Sequence, residues 1–164
     1  MLKKIGQDII GDGCDGVFAY THPFGCSQLG DDQENTRKIL AALANHPNAG
    51  GVLIVSLGCE NTNVETFKKY LGEYNENRIK FLVTQDCEDE LEKGEKLLKE
   101  LYSFVKSFKR EPIPINKLVV GYKCGGSDAF SGITANALCG RLTDKLTSCL
   151  LYTSPSPRDR TRSR

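Results

Sequence analysis

The chain has 164 residues, 39% of them hydrophobic and 26% charged, enough for one domain with a buried core and against disorder over most of its length. Its formal charge of +1 hides an asymmetry: residues 150–164 hold four arginines and one aspartate, which leaves the body at a net −2 and confines any nucleic-acid-binding reading to the tail. The longest apolar runs, Gly51–Leu57 and Lys117–Gly121, are too short to cross a bilayer, and no charged-then-apolar leader opens the chain, so the expectation is a soluble cytoplasmic protein.

In chain order, Lys3–Ile10 has a helical pattern that ends at the turn Gly11-Asp12-Gly13. Gly16–Tyr20 (GVFAY) predicts a first strand. The loop Thr21–Gly30 follows, and then a helix that Asp31 or Asp32 can cap, with Ile39, Leu40, Leu43 and Ala44 at helical spacing before Pro47. Gly51–Leu57 (GVLIVSL) is continuously apolar between glycines, as a strand covered on both faces would be. A helix over about Thr62–Tyr70 leads to a third strand, Ile79–Thr84. The charged amphipathic stretch Glu88–Phe108 predicts a long helix. Pro112 and Pro114 precede a fourth strand, Leu118–Tyr122, and Cys124-Gly125-Gly126-Ser127-Asp128 opens a last helix near Ser131. Strands alternating with crossover-length helices predict an α/β fold: a parallel, Rossmann-like sheet of about four strands with helices on both faces. Residues 1–149 form a partial catalytic domain in this reading. The Ser-Pro and Arg-rich run 150–164 has a disordered composition, resembles translated sequencing-adapter read-through, and is left out of the fold.

Ligands of open α/β sheets bind beyond the carboxyl ends of the strands. The predicted order places four loops there: His22–Gln28, Gly58–Asn61, Gln85–Cys87 and Lys123–Asp128. They carry four of the seven cysteines and one of the two histidines. The odd cysteine count, with no CxxC pair, argues for reduced thiols rather than a disulfide scaffold or a zinc ribbon. His22, Cys26, Cys59 and Cys124 could supply nitrogen and sulfur ligands to a transition metal, with Glu60, Asp86 or Asp128 as harder ligand or base. Cys14, Cys139 and Cys149 read as packing residues, His46 as a cap or solvated residue, and the Glu/Lys face of Glu88–Phe108 as solvated surface. Gly125-Gly126-Ser127 is either a tight turn or a cradle whose N–H groups hold a carboxylate or phosphate. No P-loop lysine and no G-x-G-x-x-G accompany it, so nucleotide binding has little support.

Three runs carry a specific resemblance: HPFGCSQLGDD (His22–Asp32), TRKILAALANHPNAGGVLIVSLGCEN (Thr36–Asn61) and KCGGSDAFSGITAN (Lys123–Asn136). From about Gly13 to Asp144 the chain resembles the catalytic region of the altronate/galactarate dehydratase family, and HPFGCSQ is closer to the altronate branch. The resemblance implies a hydro-lyase that dehydrates a hexonate to a 2-keto-3-deoxy acid in hexuronate breakdown, using a divalent metal, iron(II) first and manganese(II) second. It implies His22, Cys26, Cys59 and Cys124 at or near the metal, with His22, Cys59, Glu60, Cys124 and Asp128 in catalysis. Gln28, Asn61, Gly125, Gly126, Ser127, Thr134 and Asn136 would hold the substrate. The expected partners are a small sugar acid, the remainder of a longer parent chain and a second copy, without nucleic acid or membrane. Family members are longer at both ends, so the sheet is expected to lack a strand and to leave apolar faces bare. Two other readings compete: a Cys-rich iron or iron–sulfur domain using Cys26, Cys59 and Cys124, and a non-catalytic sugar-acid binding module.

Overall fold

A computed structural model describes residues 1–11, 14–123 and 128–149. The chain forms two compact units, residues 1–109 and the part from Arg110 onward.

The first unit contains α1 (Leu2–Ile9), α2 (Gly30–Ala44), β1 (Val52–Ser56), α3 (Val64–Leu71), β2 (Ile79–Val83) and α4 (Glu90–Val105), with a 3₁₀ turn at Thr84–Asp86. The strands pair in parallel, from Val52 opposite Ile79 to Ser56 opposite Val83. Helix α3 is the crossover between them, as a parallel pair requires. Alternation along the strands sorts the side chains into two layers. Val52, Ile54, Ile79 and Phe81 meet Ala41 and Ala44 of α2 and Phe67 and Leu71 of α3. On the other face α4 packs against both strands and α1. Its close approach depends on glycine: a Cβ on Gly50 would meet Val105 Cγ1 at 3.0 Å, and one on Gly51 would meet Val105 Cγ2 at 3.1 Å. Ile79 and Leu82, at 1% and 0% exposure, are the deepest side chains.

Caps account for two helix starts. The Asn63 side chain accepts the Thr66 N–H at the head of α3, and Asp89 accepts the N–H groups of Leu91 and Glu92 at the head of α4. Neither Asp31 nor Asp32 caps α2, contrary to the sequence reading. The N-cap is Leu29, followed by Gly30 at φ 60°, and both aspartates sit in the first turn, where they favour the positive end of the helix.

The second unit contains a 3₁₀ turn at Ile115–Lys117 and α5 (Ala135–Ser148). Helix α5 starts four residues beyond Ser131, because the Asp128 carboxylate draws the N–H groups of Phe130 and Ser131 into a separate turn. Cys139 and Cys149 are exposed, which corrects the packing role expected of them, whereas Cys14 is half-buried.

The α/β class and the parallel pairing hold, with helices on both faces of the sheet. The four-stranded Rossmann-like sheet does not: among the described residues the sheet has two strands. Gly16–Tyr20 and Leu118–Tyr122 are irregular, with Tyr20 71% and Val119 92% exposed. Valine-rich and aromatic runs form strands only where a neighbouring backbone completes the ladder, and neither run has one among the described residues. No helix among the described residues is long and apolar enough to cross a membrane. The tail 150–164 lies outside the described residues.

Leu82→Ala is expected to lower unfolding free energy by about 2–5 kcal/mol, as buried leucine truncations do. Val119→Ala is expected to change it by less than about 0.5 kcal/mol. Urea denaturation followed by circular dichroism separates the two.

Candidate functional site

Parallel pairing sends the loops after β1 and β2 out at the same end of the sheet. Backbone and side-chain hydrogen bonds join them there: the Gln85 N–H donates to Leu57 O at 3.1 Å and the Thr84 hydroxyl to the same oxygen at 3.4 Å. The turn after β1 is closed by a carboxylate. Glu60 Oε1 accepts the Ser56 hydroxyl at 2.5 Å and the Leu57 N–H at 3.1 Å, and Oε2 accepts the Gly58 N–H at 2.6 Å. Gly58 sits at φ 123°, and a Cβ there would meet Gln85 Oε1 at 2.9 Å, so conformation and space both call for glycine.

This turn presents Cys59, exposed, with Gln85 Nε2 donating toward its Sγ at 3.5 Å. The loop Thr21–Leu29 lies against it. Cys26 Sγ donates to the Cys59 carbonyl at 3.6 Å, and Asn61 Nδ2 donates to the carbonyls of Cys26 and Gln28 at 3.2 and 3.3 Å. Gln28 Oε1 in turn accepts the Thr36 hydroxyl of α2 at 2.7 Å. His22 is exposed. Its Nδ1 faces the Phe24 N–H at 3.4 Å and its ring lies 6.1 Å from that of Phe24. His22, Cys26, Gln28, Cys59, Glu60 and Asn61 thus lie on two adjoining loops, as the sequence predicts, at the carboxyl end of the strands.

Arg37 of α2, which the sequence reading passes over, secures this edge. It donates from Nη2 to Asn61 O at 2.9 Å and from Nε to Thr62 Oγ1 at 3.2 Å, with its guanidinium 5.7 Å from the Tyr70 ring centroid. Tyr70 donates to Glu34, and that hydrogen bond, joined by the Lys38 and Arg37 charges, outweighs desolvation and holds the Glu34 carboxyl below its ordinary value. Glu34 and Arg37, three apart on a helix, are the available sequence signal. Ser56 is also missed, and nothing in its spacing marks it, whereas Gln85 lies in a loop expected at this edge.

Asp128, Thr134 and Asn136 belong to the second unit. Asp128 Oδ1 accepts the N–H groups of Phe130 and Ser131, and the Thr134 hydroxyl donates to Phe130 O. Cys124, Gly125, Gly126 and Ser127 lie outside the described residues. In the Gln85–Cys87 loop, the Cys87 thiol is spent on Val83 O at 2.9 Å. Among the described residues no group of three or more His, Cys, Asp or Glu could hold a metal ion. His22, Cys26 and Cys59 therefore do not by themselves make the ligand set expected for iron(II).

Burial opposes ionisation of Glu60. The hydrogen bonds from Ser56 and from the N–H groups of Glu60, Gly58 and Leu57 outweigh it, so the carboxyl is held below the ordinary carboxylate value. Its lone pairs serve the turn, which makes it a poor base.

The sequence matches the family described as D-galactarate dehydratase/altronate hydrolase, second domain, over residues 2–106, and the D-galactarate/altronate dehydratase C-terminal family over residues 115–150. It is 54% identical over 132 residues to altronate dehydratase of Bacillus subtilis, covering 80% of this chain and 27% of that protein. To altronate dehydratase of Escherichia coli it is 48% identical over 133 residues, 81% of this chain and 27% of the relative. To the Escherichia coli galactarate dehydratase (L-threo-forming) it is 32% identical over 113 residues, 63% of this chain and 22% of the relative. The chain thus spans about a quarter of the length of the curated relatives it matches. No solved structure matches.

A carboxyl held low in the fold stabilises it above the unfolded value of 4.5 and loses that contribution as pH falls through the folded value. Glu60→Gln is therefore expected to lower stability by about 1 kcal/mol at pH 7, a charge-assisted hydrogen-bond value reduced for solvent access. The gap to wild type should close below pH 4.5. Urea midpoints of both proteins between pH 7 and 3 check this; a gap that does not change with pH would refute the carboxylate's role.

Proposed function

The chain belongs to the D-galactarate dehydratase/altronate hydrolase family, and from that membership we propose that it supplies one edge of the active site of a hydro-lyase acting on D-altronate. The product is 2-keto-3-deoxy-D-gluconate and the setting is cytoplasmic hexuronate breakdown. The observation that carries the substrate is the 54% and 48% identity to two altronate dehydratases, against 32% to the galactarate enzyme. Galactarate and related sugar acids are the nearest alternative substrates.

Dehydration of a 2,3-dihydroxy acid takes the proton from C2 and expels the hydroxyl from C3. The resulting enol becomes the 2-keto-3-deoxy acid by tautomerisation. The C2 proton is weakly acidic and hydroxide leaves poorly, so the site needs a base, a proton donor and stabilisation of developing negative charge. His22 is the proton-transferring group in this proposal. With Nδ1 facing the Phe24 N–H, Nε2 is the ring atom left to exchange protons with substrate: it takes the C2 proton and, as the imidazolium so formed, delivers a proton to the departing C3 hydroxyl, which leaves as water. Cys26, Cys59 and Cys124 would be the soft donors to a divalent metal, iron(II) before manganese(II), which would stabilise the negative charge that develops on the substrate. Glu60 and Asn61 act through the loops they hold. Gln28 does the same through its hydrogen bond with Thr36. The substrate carboxylate and hydroxyls are assigned in this proposal to Gly125, Gly126, Ser127 and Asp128, with Thr134 and Asn136.

The remainder of a family-length protein is the proposed partner, along with a second copy. Val55 and Leu57 at the end of β1 are 50% and 53% exposed, and α5 has no buried residue. Apolar surface of this kind is normally covered in a stable domain.

The test replaces the matching segment of the Bacillus subtilis altronate dehydratase with residues 2–149 of this chain and measures 2-keto-3-deoxy acid release. The hybrid is expected to turn over D-altronate faster than galactarate and to lose activity to a chelator, with iron(II) restoring it better than manganese(II). His22→Asn in the hybrid is expected to lower kcat by roughly 10²-fold or more, the usual scale for a positioned proton-transfer group, and Cys59→Ser to lower both activity and iron(II) retention. A folded hybrid that dehydrates neither acid would overturn the assignment.

A further inference from the structure

The thiols of Cys26 and Cys59 have a relationship that the dehydratase reading does not use. Both are exposed, on loops that come together only through the fold, thirty-three residues apart in sequence. Cys26 Sγ lies 3.6 Å from the Cys59 carbonyl oxygen, and Asn61 Nδ2 grips the Cys26 carbonyl from the other side at 3.2 Å. Two bonds of about 1.2 and 1.5 Å separate that oxygen from Cys59 Cα, so Cys26 Sγ is no more than roughly 6.3 Å from Cys59 Cα. A disulfide sets its Cα atoms about 4.4–6.8 Å apart, and with Cys26 Sγ already beside the Cys59 backbone, a local shift of these two exposed loops would bring the pair into that range. Bonding would also take Cys59 Sγ off its 3.5 Å contact with Gln85 Nε2.

We infer that Cys26 and Cys59 are a modification site, a pair that a low-molecular-weight disulfide such as glutathione disulfide converts to an intramolecular disulfide. The thiolate of one cysteine attacks a sulfur of glutathione disulfide, forming a mixed disulfide and expelling one glutathione thiolate. The second cysteine thiolate attacks the protein sulfur of that mixed disulfide, forming the Cys26–Cys59 bond and expelling the second glutathione. The two cysteines lose two protons and two electrons, which leave on two molecules of reduced glutathione. The bond would tie the loop before α2 to the loop after β1 and withdraw both thiols from the sheet edge. Its formation does not depend on the dehydratase reading.

Other described cysteines are less suited. The half-buried Cys87 donates its thiol to Val83 O at 2.9 Å. Cys139 lies on α5 and Cys149 caps its end, about 15 Å apart at the rise of a helix, which is beyond bonding range.

The experiment incubates the 164-residue chain with glutathione disulfide, alkylates remaining thiols, and maps linked peptides by mass spectrometry before and after dithiothreitol. The expected dominant product is a Cys26–Cys59 linked peptide, two hydrogens lighter than the reduced pair and released by dithiothreitol. Cys26→Ser and Cys59→Ser are each expected to abolish it and leave only a mixed glutathione disulfide on the remaining thiol. Cys59 linked mainly to another cysteine, Cys124 included, would overturn the proposal. So would separate glutathione adducts on Cys26 and Cys59 that do not resolve into a link. Should either variant fail to fold, the wild-type peptide map alone decides.

Discussion

The arrangement at the end of the sheet depends on one carboxylate. Where β1 stops, its last residues have no strand partner for the N–H groups of Leu57 and Gly58, and Glu60 turns back to accept both together with the Ser56 hydroxyl. Backbone N–H groups that leave a ladder need an acceptor, and an ionised carboxylate is a stronger one than water when part of its surroundings is protein. The turn that results is tight enough to need Gly58 at a positive φ. It sets Cys59 and Asn61 facing the loop that carries Cys26 and His22. Without that closure the three loops at this edge have no common reference point.

The layers beneath explain why the edge is held from α2. Core packing of Ala41 and Ala44 against Phe67, Leu71 and Ile79 locks α2 and α3 to one face of the strands. The N-terminal half of α2 then projects beyond the sheet, where Arg37 and Thr36 reach Asn61, Thr62 and Gln28. A guanidinium that bonds a backbone carbonyl and a threonine hydroxyl while lying over Tyr70 loses little additional entropy, since packing already restricts it. Helix packing in the core and loop geometry at the edge are thus one mechanical unit.

This division explains what the sequence makes legible. Period and punctuation locate every helix of the first unit and both strands, because GVLIVSL and IKFLVT are apolar runs bounded by glycine, charge and turn residues. Parallel topology places the Cys59, Glu60 and Asn61 loop at the edge, whereas the His22 and Cys26 loop, expected there as the sequel to a strand, reaches it without one, through the hydrogen bonds of Asn61 to Cys26 O and Gln28 O. GVFAY and LVVGY have the same composition as true strands and are not strands here. A strand is a property of a pair of backbones, and one segment's side chains do not specify its partner. The roles of Glu60 and Asn61 are hidden for a related reason. Their residue types suit catalysis and substrate binding equally well, and only the coordinates show the carboxylate and the amide spent on the protein's own backbone.

The two uses assigned to Cys26 and Cys59 exclude one another, and the exclusion follows from sulfur chemistry. A thiolate binds a soft divalent metal through the same lone pairs with which it attacks a disulfide. Once joined, neither sulfur retains the negative charge that makes it a good ligand. Among the described residues no group of three or more His, Cys, Asp or Glu could hold a metal ion, so a metal proposed at this edge would need further ligands, whereas the proposed disulfide needs the pair and an oxidising disulfide. A metal held by these thiols would therefore protect them from oxidation, and the proposed disulfide would block metal binding. Redox poise and metal supply would then act on the same two cysteines, whose loops are joined by the hydrogen bond from the Cys26 thiol to the Cys59 carbonyl and by that from Asn61 to the Cys26 carbonyl.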